Sequence, residues 1–387
     1  MNSVEIKKDI YWVGGIDWDL RNFHGYMTQR GSTYNAYLIV DDKVTLIDTV
    51  KHYLRDEMFE RISEIIDPSK IDYVVSNHVE MDHSGSIPYL MKKCPKAKIV
   101  ASPNGVKGLK KHYGDSYNYK TVKTGDTLDI GKRELNFLLT PMVHWPDNML
   151  TYCPDEKILF SNDSFGQHLA SSERFDDEYE LDIIMEEAKK YYANIVLPYS
   201  MQVQNELKAA SELDIEIVAP SHGIIFRKYI DKIVEKYKKW SSNKYDKKAL
   251  IIYDTMWKST KKIGYAVQNG FEENGYNTRM LNLQYNHISD IMTEVLNAEY
   301  ICIGSPTLNN NIMPTVASFI TYLKGLAPRD RKGLAFGSYG WGGQSIGILH
   351  EELKDCGFDL LEDIKINYIP SEKQLDEIKN NIIEQIS

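Results

Sequence analysis

One stretch constrains this chain more than any other. Tyr73-Val74-Val75-Ser76-Asn77 reads as a buried strand and runs straight into His78-Val79-Glu80-Met81-Asp82-His83-Ser84-Gly85, so four potential metal ligands fall within six residues. Imidazoles and carboxylates crowded together are costly to bury unless they hold a cation or one another. A lone histidine or aspartate is most often an ordinary hydrogen-bonded or exposed residue, but chance seldom sets HxExDH directly after a strand. Three more apolar segments end in a polar ligand: LLTPMVHWPD with His144, ILFSNDSFG with Asp163, and IEIVAPSHG with His222. Strand ends that converge at one sheet edge are where a scaffold places a site. A metal centre is the expectation.

The rest of the first half reads as short strands with interposed helices. Strands are expected at Ile10–Val13, Thr33–Val40, Lys43–Val50, Lys98–Ala101, Glu134–Leu139, Met149–Cys153, Ile158–Ser161 and Ile215–Ala219, with a hairpin turn at Val40–Lys43. Apolar spacing near 3.6 suggests helices at Asp56–Ile66, Leu181–Tyr192, Glu206–Leu213 and Lys228–Trp240. That mixture suits layered sheets with helices outside. The polar run SSNKYDKK at Ser241–Lys248 marks a domain boundary, and we divide the chain at 1–245 and 246–387. Two domains also fit the 387 residues, and 42% hydrophobic residues allow sizeable cores.

Composition excludes several classes. The net charge of −9 argues against a nucleic-acid partner. Cys94, Cys153, Cys302 and Cys356 form no CxxC pair, which excludes a rubredoxin-type iron site, a zinc ribbon and a disulfide scaffold, and leaves reduced, mostly buried thiols. The N-terminus lacks the apolar region of a signal peptide, and no apolar run approaches the roughly 20 residues of a membrane helix. A soluble, cytoplasmic protein without a membrane partner is expected.

The second half changes character. Strands at Ala249–Asp254, Thr278–Asn282, Tyr300–Gly304, Gly333–Gly337 and Ile364–Tyr368 alternate with helices from about Thr260 and at Thr315–Leu326, Ser345–Cys356 and Glu372–Ile386, which means a doubly wound parallel sheet. Three of its strand ends carry ligand-type loops. The first, Thr255-Met256-Trp257-Lys258-Ser259-Thr260, precedes a helix, and hydroxyls with free amides at a helix N-terminus bind anions. Read alone, Ser259 or Thr260 is as readily an N-cap. The run resembles the flavodoxin loop that binds the monophosphate of FMN, and no GxGxxG is present to suggest a dinucleotide. The others, Ser305-Pro306-Thr307-Leu308-Asn309 and Gly337-Ser338-Tyr339-Gly340-Trp341-Gly342, resemble the two ring-binding loops of flavodoxin. Their small residues admit close backbone approach, and Tyr339 or Trp341 could flank the ring.

With both constellations in view, the chain resembles the flavodiiron proteins over nearly its whole length. The first half is similar to a metallo-β-lactamase-fold domain, whose hydrolase members carry HxHxDH. Here Glu80 stands in place of the second histidine of that motif, which is the flavodiiron signature. The fold implied is an α+β metallo-β-lactamase-like αββα sandwich followed by an α/β flavodoxin-like doubly wound sheet. The resemblance implies two iron ions. His78, Glu80 and His144 would hold one iron, Asp82 and His222 the other, and Asp163 would bridge them. His83 either binds or turns away. Exchanging imidazole for carboxylate independently favours iron or manganese, since it adds charge and a hard oxygen ligand.

Reduced FMN with a diferrous pair stores four electrons, enough to convert dioxygen to two waters. Coupling two nitric oxide molecules to nitrous oxide needs two. The resemblance therefore implies a water-forming oxidase or nitric oxide reductase, working as a head-to-tail homodimer or a dimer of dimers. With no rubredoxin or reductase extension after Ser387, electrons are expected from outside. Ile16–Tyr26 looks like that of the anaerobe-type members, some of which oxidise a reduced 8-hydroxy-5-deazaflavin coenzyme while others use rubredoxin. His24, in that stretch, would sit near the irons and donate a hydrogen bond to bound oxygen, or be purely structural. The competing readings are a dinuclear zinc hydrolase with a tethered flavodoxin, against which Glu80 argues, and an electron carrier with an inert metal scaffold, against which the complete ligand set argues.

Overall fold

In the computed structural model, which describes residues 2–387, the chain divides into two compact units. The first takes in the N-terminal residues to His24, Thr28–Tyr191 and Met201–Lys238. The second takes in Gly25–Met27, Tyr192–Ser200 and Lys239–Ser387.

Two sheets build the first unit. Seven strands pair in the order Val4–Lys7, Ile10–Trp12, Tyr37–Ile39, Val44–Ile47, Ile71–Val75, Lys98–Ala101 and Asn118–Thr121. Five more pair as Thr127–Asp129, Glu134–Leu139, Met149–Cys153, Ile158–Asn162 and Ile217–Pro220. Strand alternation sorts the side chains. Tyr37, Ile39, Ile47 and Val75 share one core with Phe137, Met149, Phe160 and Ile217, so this layer lies between the sheets. Leu38, Leu46, Val74 and Ile99 face the other way, onto Met58, Ile62, Leu90 and Leu109 of the helices Arg55–Ile65, Ile87–Lys93 and Pro103–Tyr113. The far side of the second sheet buries Leu150, Tyr152 and Leu159 against Leu213 and Ile215.

The second unit carries parallel strands in the order Asn277–Asn282, Asp246–Tyr253, Ala298–Gly304 and Lys332–Tyr339, the last pairing with both Asp359–Leu360 and Ile364–Asn367. The order reverses beside Asp246–Tyr253, the switch point where such sheets bind ligands. Helices Ser259–Glu273 and Glu372–Ile386 cover one face, through Ile263, Val267, Phe271, Ile378 and Ile382.

Several expectations need correction. Thr33–Val40 is two strands, Ser32–Tyr34 and Tyr37–Ile39, which pair in different sheets. Asn35 makes the break: its Nδ2 donates to the carbonyls of Pro220 and Gly223, and its Oδ1 accepts from the Trp12 indole. The helix expected at Glu206–Leu213 lies earlier, at Ser200–Ala210. The helices Ile87–Lys93, Pro103–Tyr113 and Ile288–Val295 were not foreseen. The Val40–Lys43 hairpin forms, with Ile39 opposite Thr45. All four cysteines are free and three are buried.

Candidate metal centre and flavin site

After Val75 the chain turns under tight control. The Asp48 carboxylate accepts from the Asn77 amide at 2.8 Å and from its side chain at 3.0 Å, and Thr151 donates to Asn77 Oδ1 at 2.7 Å. His78 follows at once, and the short helix Met81–Ser84 turns Asp82 and His83 inward, both buried. Asn162 ends its strand in the left-handed region (φ 50°), which asparagine tolerates, and so presents Asp163. Its side chain accepts from Asn148 at 2.8 Å and donates to Ser221 at 3.2 Å, tying the His144 loop to the strand end that carries His222.

These turns bring all the ligands expected from sequence to one place. His78, His144 and Asp163 offer donor atoms within 4.8 Å of one another, as do Asp82, His83 and His222. Glu80 Oε2 lies 3.4 Å from Nε2 of both His78 and His144, which puts it with the first group. Asp163 divides its oxygens. Oδ2 is 3.7 Å from His78 Nε2 and 3.5 Å from His144 Nε2, whereas Oδ1 is 3.0 Å from His83 and 3.4 Å from His222. His83 thus faces the centre, with Nε2 3.4 Å from Asp82 Oδ1. His24 Nε2 sits 3.0 Å from Glu80 Oε1, with its side chain largely exposed.

The donor set fits a pair of cations. Both oxygens of Asp82 and of Asp163, and both ring nitrogens of His83, are buried without a hydrogen-bond partner. Orphaned atoms of that kind call for an ion. The electrostatics agree. Burial works against the charged form of Asp163, yet His83 and His222 hold its carboxyl well below the usual range. The same contest lowers Asp82. Glu80, also opposed by burial, is held down by His144, His24 and His78. Burial opposes charge on His222 too, but Asp163 and Asp82 push it up to about 10. The carboxylates raise the proton affinity of His78, His83 and His222, and metal binding would displace protons held there.

Sequence reasoning passed over two neighbours. Asp147, three residues after His144 in HWPD, accepts from His78 Nδ1 at 2.9 Å. Lys51 lies over the rings of Phe23 and Tyr34 at 4.9 and 4.7 Å. The first was legible as an acid beside a ligand histidine; the second had no local signal.

In the second unit a cavity of about 640 Å³ opens at the strand ends, lined by Met256, Trp257, Ser259, Pro306, Thr307, Asn309, Ser338, Tyr339, Gly340 and Trp341 from the expected loops. Asn310, Tyr368 and Ile369 line it as well, and the last two follow the strand Ile364–Asn367. Thr255, Lys258, Thr260, Ser305, Leu308, Gly337 and Gly342 belong to the same loops without lining the cavity. Thr260 is buried, 3.0 Å from the Ser338 hydroxyl, and Thr307 contacts Ser345 at 2.8 Å, so the loops are cross-linked from behind. Neither Ser259 nor Thr260 is the N-cap. Lys258 is, with φ 70° and no capping side chain, and the buried Thr255 hydroxyl has no partner. An uncapped helix N-terminus beside an unsatisfied hydroxyl fits a phosphate. Trp257 and Trp341 stand 90% and 81% exposed at the rim, free to flank a ring.

A histidine–carboxylate sandwich joined to a flavodoxin-like sheet defines a class, the oxidoreductases that combine a flavin with a metal pair. Residues 33–223 match the family model described as ODP family beta lactamase, and residues 251–380 match that of flavodoxin. The chain is 45% identical to a nitric oxide reductase of Moorella thermoacetica, over 92% of this chain and 91% of that one. It is 40% identical to the rubredoxin-oxygen oxidoreductase of Megalodesulfovibrio gigas, over 98% and 96%. Among solved structures, the rubredoxin oxygen:oxidoreductase of Desulfovibrio gigas superposes with a TM-score of 0.96 at 39% identity, covering 98% of this chain and 97% of that one. The flavodiiron protein of Giardia intestinalis gives 0.96 at 35%, over 99% and 96%. The chain belongs to the flavodiiron protein family. Its cofactors are FMN and two iron ions, and its two domains are the metallo-β-lactamase-like and flavodoxin-like folds.

Proposed function

We propose that this protein reduces dioxygen to water, and by the same centre nitric oxide to nitrous oxide. The observation that carries this reading is the divided Asp163 carboxylate, with one oxygen turned to each group of donors. His78, Glu80 and His144 are assigned to one iron, Asp82 and His222 to the other, and Asp163 to both. The buried Nε2 of His83, 3.0 Å from Asp163, supports its joining the second group. The loops at Thr255–Thr260, Ser305–Asn309 and Gly337–Gly342 are assigned to FMN, within residues 246–387, and the metal ligands lie within 1–245.

When bound, the iron pair and the flavin supply the four electrons that dioxygen requires. The chain's own part is positional. Asp48 and Asn162 fix the turns that aim the ligands, and the donors stand preorganised. His24 holds Glu80 Oε1 and keeps its exposed ring at the edge of the centre. The names of the relatives from Moorella and gigas support the two gases as substrates. For the donor, the gigas relative's name favours rubredoxin, and the Ile16–Tyr26 stretch favours a reduced deazaflavin coenzyme that would pass hydride to FMN. A head-to-tail homodimer, or a dimer of dimers, is the assembly we propose.

Anaerobic mixing of the reduced, iron-loaded protein with dioxygen or nitric oxide, with products quantified, tests the reading. Water without peroxide, or nitrous oxide, is expected; peroxide as the main product overturns it. Zinc as the activity-supporting metal would favour the hydrolase instead. Stopped-flow mixing of oxidised protein with each reduced donor decides between deazaflavin and rubredoxin.

A further inference from the structure

The two groups of metal donors differ in what stands behind them. His78 is fully buried, and its Nδ1 lies 2.9 Å from Asp147 Oδ2. The same oxygen accepts the Val79 backbone N–H at 2.8 Å, and the Asp147 carbonyl accepts from the Ser102 hydroxyl at 2.7 Å. Asp147 is itself buried, so its carboxylate is held in one place. A carboxylate only accepts, so the imidazole carries its proton on Nδ1 and turns the Nε2 lone pair toward Glu80 and Asp163. His222, in the other group, meets a weaker partner. Its Nδ1 lies 2.9 Å from the neutral Thr33 carbonyl. The Nδ1 of His83 has no hydrogen-bond partner.

A carboxylate behind an imidazole raises its basicity more than a neutral carbonyl does, and it adds a full negative charge near one metal. Among the donors themselves each group has one carboxylate of its own, Glu80 or Asp82, and each shares Asp163. The buried Asp48, which acts on His83 through space, accepts its hydrogen bonds from Asn77 and not from a histidine of either group. The geometry points to Asp147 as a positioning residue that makes the two metal positions unequal, the iron at His78–Glu80–His144 being the harder of the two to reduce. The first electron would then settle on the iron at Asp82–His83–His222. This inference rests on the ligand assignment proposed above and deepens it. Asp147 lies in the loop that also carries His144, so one turn supplies both a ligand and the charge behind another.

The experiment is an EPR-monitored potentiometric titration of the iron-loaded wild type and Asp147→Asn, with iron counted per chain. The amide keeps the size of the side chain and removes the charge. With two irons retained, the expected result is a narrower gap between the two reduction steps and a smaller maximum of the mixed-valence signal in the variant. An unchanged gap in a variant holding two irons overturns the inference. If the variant loses iron, anomalous diffraction locates what remains. Loss at His78–Glu80–His144 alone supports the inference, and loss at the other position or at both equally overturns it. A wild type that holds no iron pair fails the ligand assignment itself, a different result from any of these.

Discussion

Glu206, on the helix Ser200–Ala210, is buried with Oε2 lacking a hydrogen-bond partner. Burial pushes its carboxyl up from 4.5 to about 7, against a hydrogen bond from Ser164 that lowers it. A carboxyl that holds its proton more tightly when folded makes the folded state lose stability as pH rises between those two values. Glu206→Gln should therefore match the wild type near pH 4 and be the more stable form above pH 7, by up to about 3 kcal/mol. Urea unfolding midpoints across that range would show it, and a constant difference would contradict it. Glu80 gives a second expectation. Glu80→His exchanges a carboxylate that faces both His78 and His144, so dioxygen consumption should fall by at least the roughly 10–100-fold typical of outer-shell changes. FMN per chain should not change, because the flavin loops belong to the other unit. An oxygen electrode and flavin release by acid read the two quantities separately.

Among the elements, the strand Lys332–Tyr339 depends on having no side chain at Gly337. A Cβ there would meet the Ser305 carbonyl oxygen at 2.1 Å, so Gly337→Ala must wedge two flavin loops apart. Overpacking of this kind costs about 1–3 kcal/mol, and falling on the flavin loops it should weaken FMN binding roughly 5- to 150-fold. Gly347, on the helix Gln344–Asp355, has open space and makes the control: alanine there should leave flavin affinity unchanged in the same fluorescence titration. Elements with a strong local period were legible in the sequence, as the five parallel strands of the second unit show. Thr33–Val40 misled because its apolar alternation continues through Asn35, whose break is imposed by partners about 185 residues away. The helix Pro103–Tyr113 hid behind two glycines, which local propensity disfavours. At the centre, the proposed ligands stood out in the sequence because each follows an apolar stretch, and the structure brings those side chains together. Tyr368 and Ile369 were not read, since their place at the cavity arises from which strand ends meet, whereas Asp147 carried a local signal in HWPD that was passed over.

For the molecule as a whole, removing iron leaves three carboxylates, Glu80, Asp82 and Asp163, facing only the neighbouring histidines that hold their carboxyls below the usual range. His222, raised to about 10, then contributes stability that is complete below about pH 6.5 and lost as pH rises through its folded value. Chelated protein should melt at progressively lower temperature from about pH 7 to 10, with FMN still bound and dioxygen consumption abolished. The iron-loaded form should keep a nearly level melting temperature over the same span, as calorimetry at several pH values would test. The pairing of Ile158–Asn162 with Ile217–Pro220 sets Asp163 beside His222. Because the proposed ligands run from residue 78 to residue 222, a chain emerging from the ribosome lacks His222, and with it the second metal position, until its final sandwich strand docks. Contacts so distant in sequence close late in folding. The nascent protein therefore has no complete place for an iron pair, and the second metal waits on a sandwich already built.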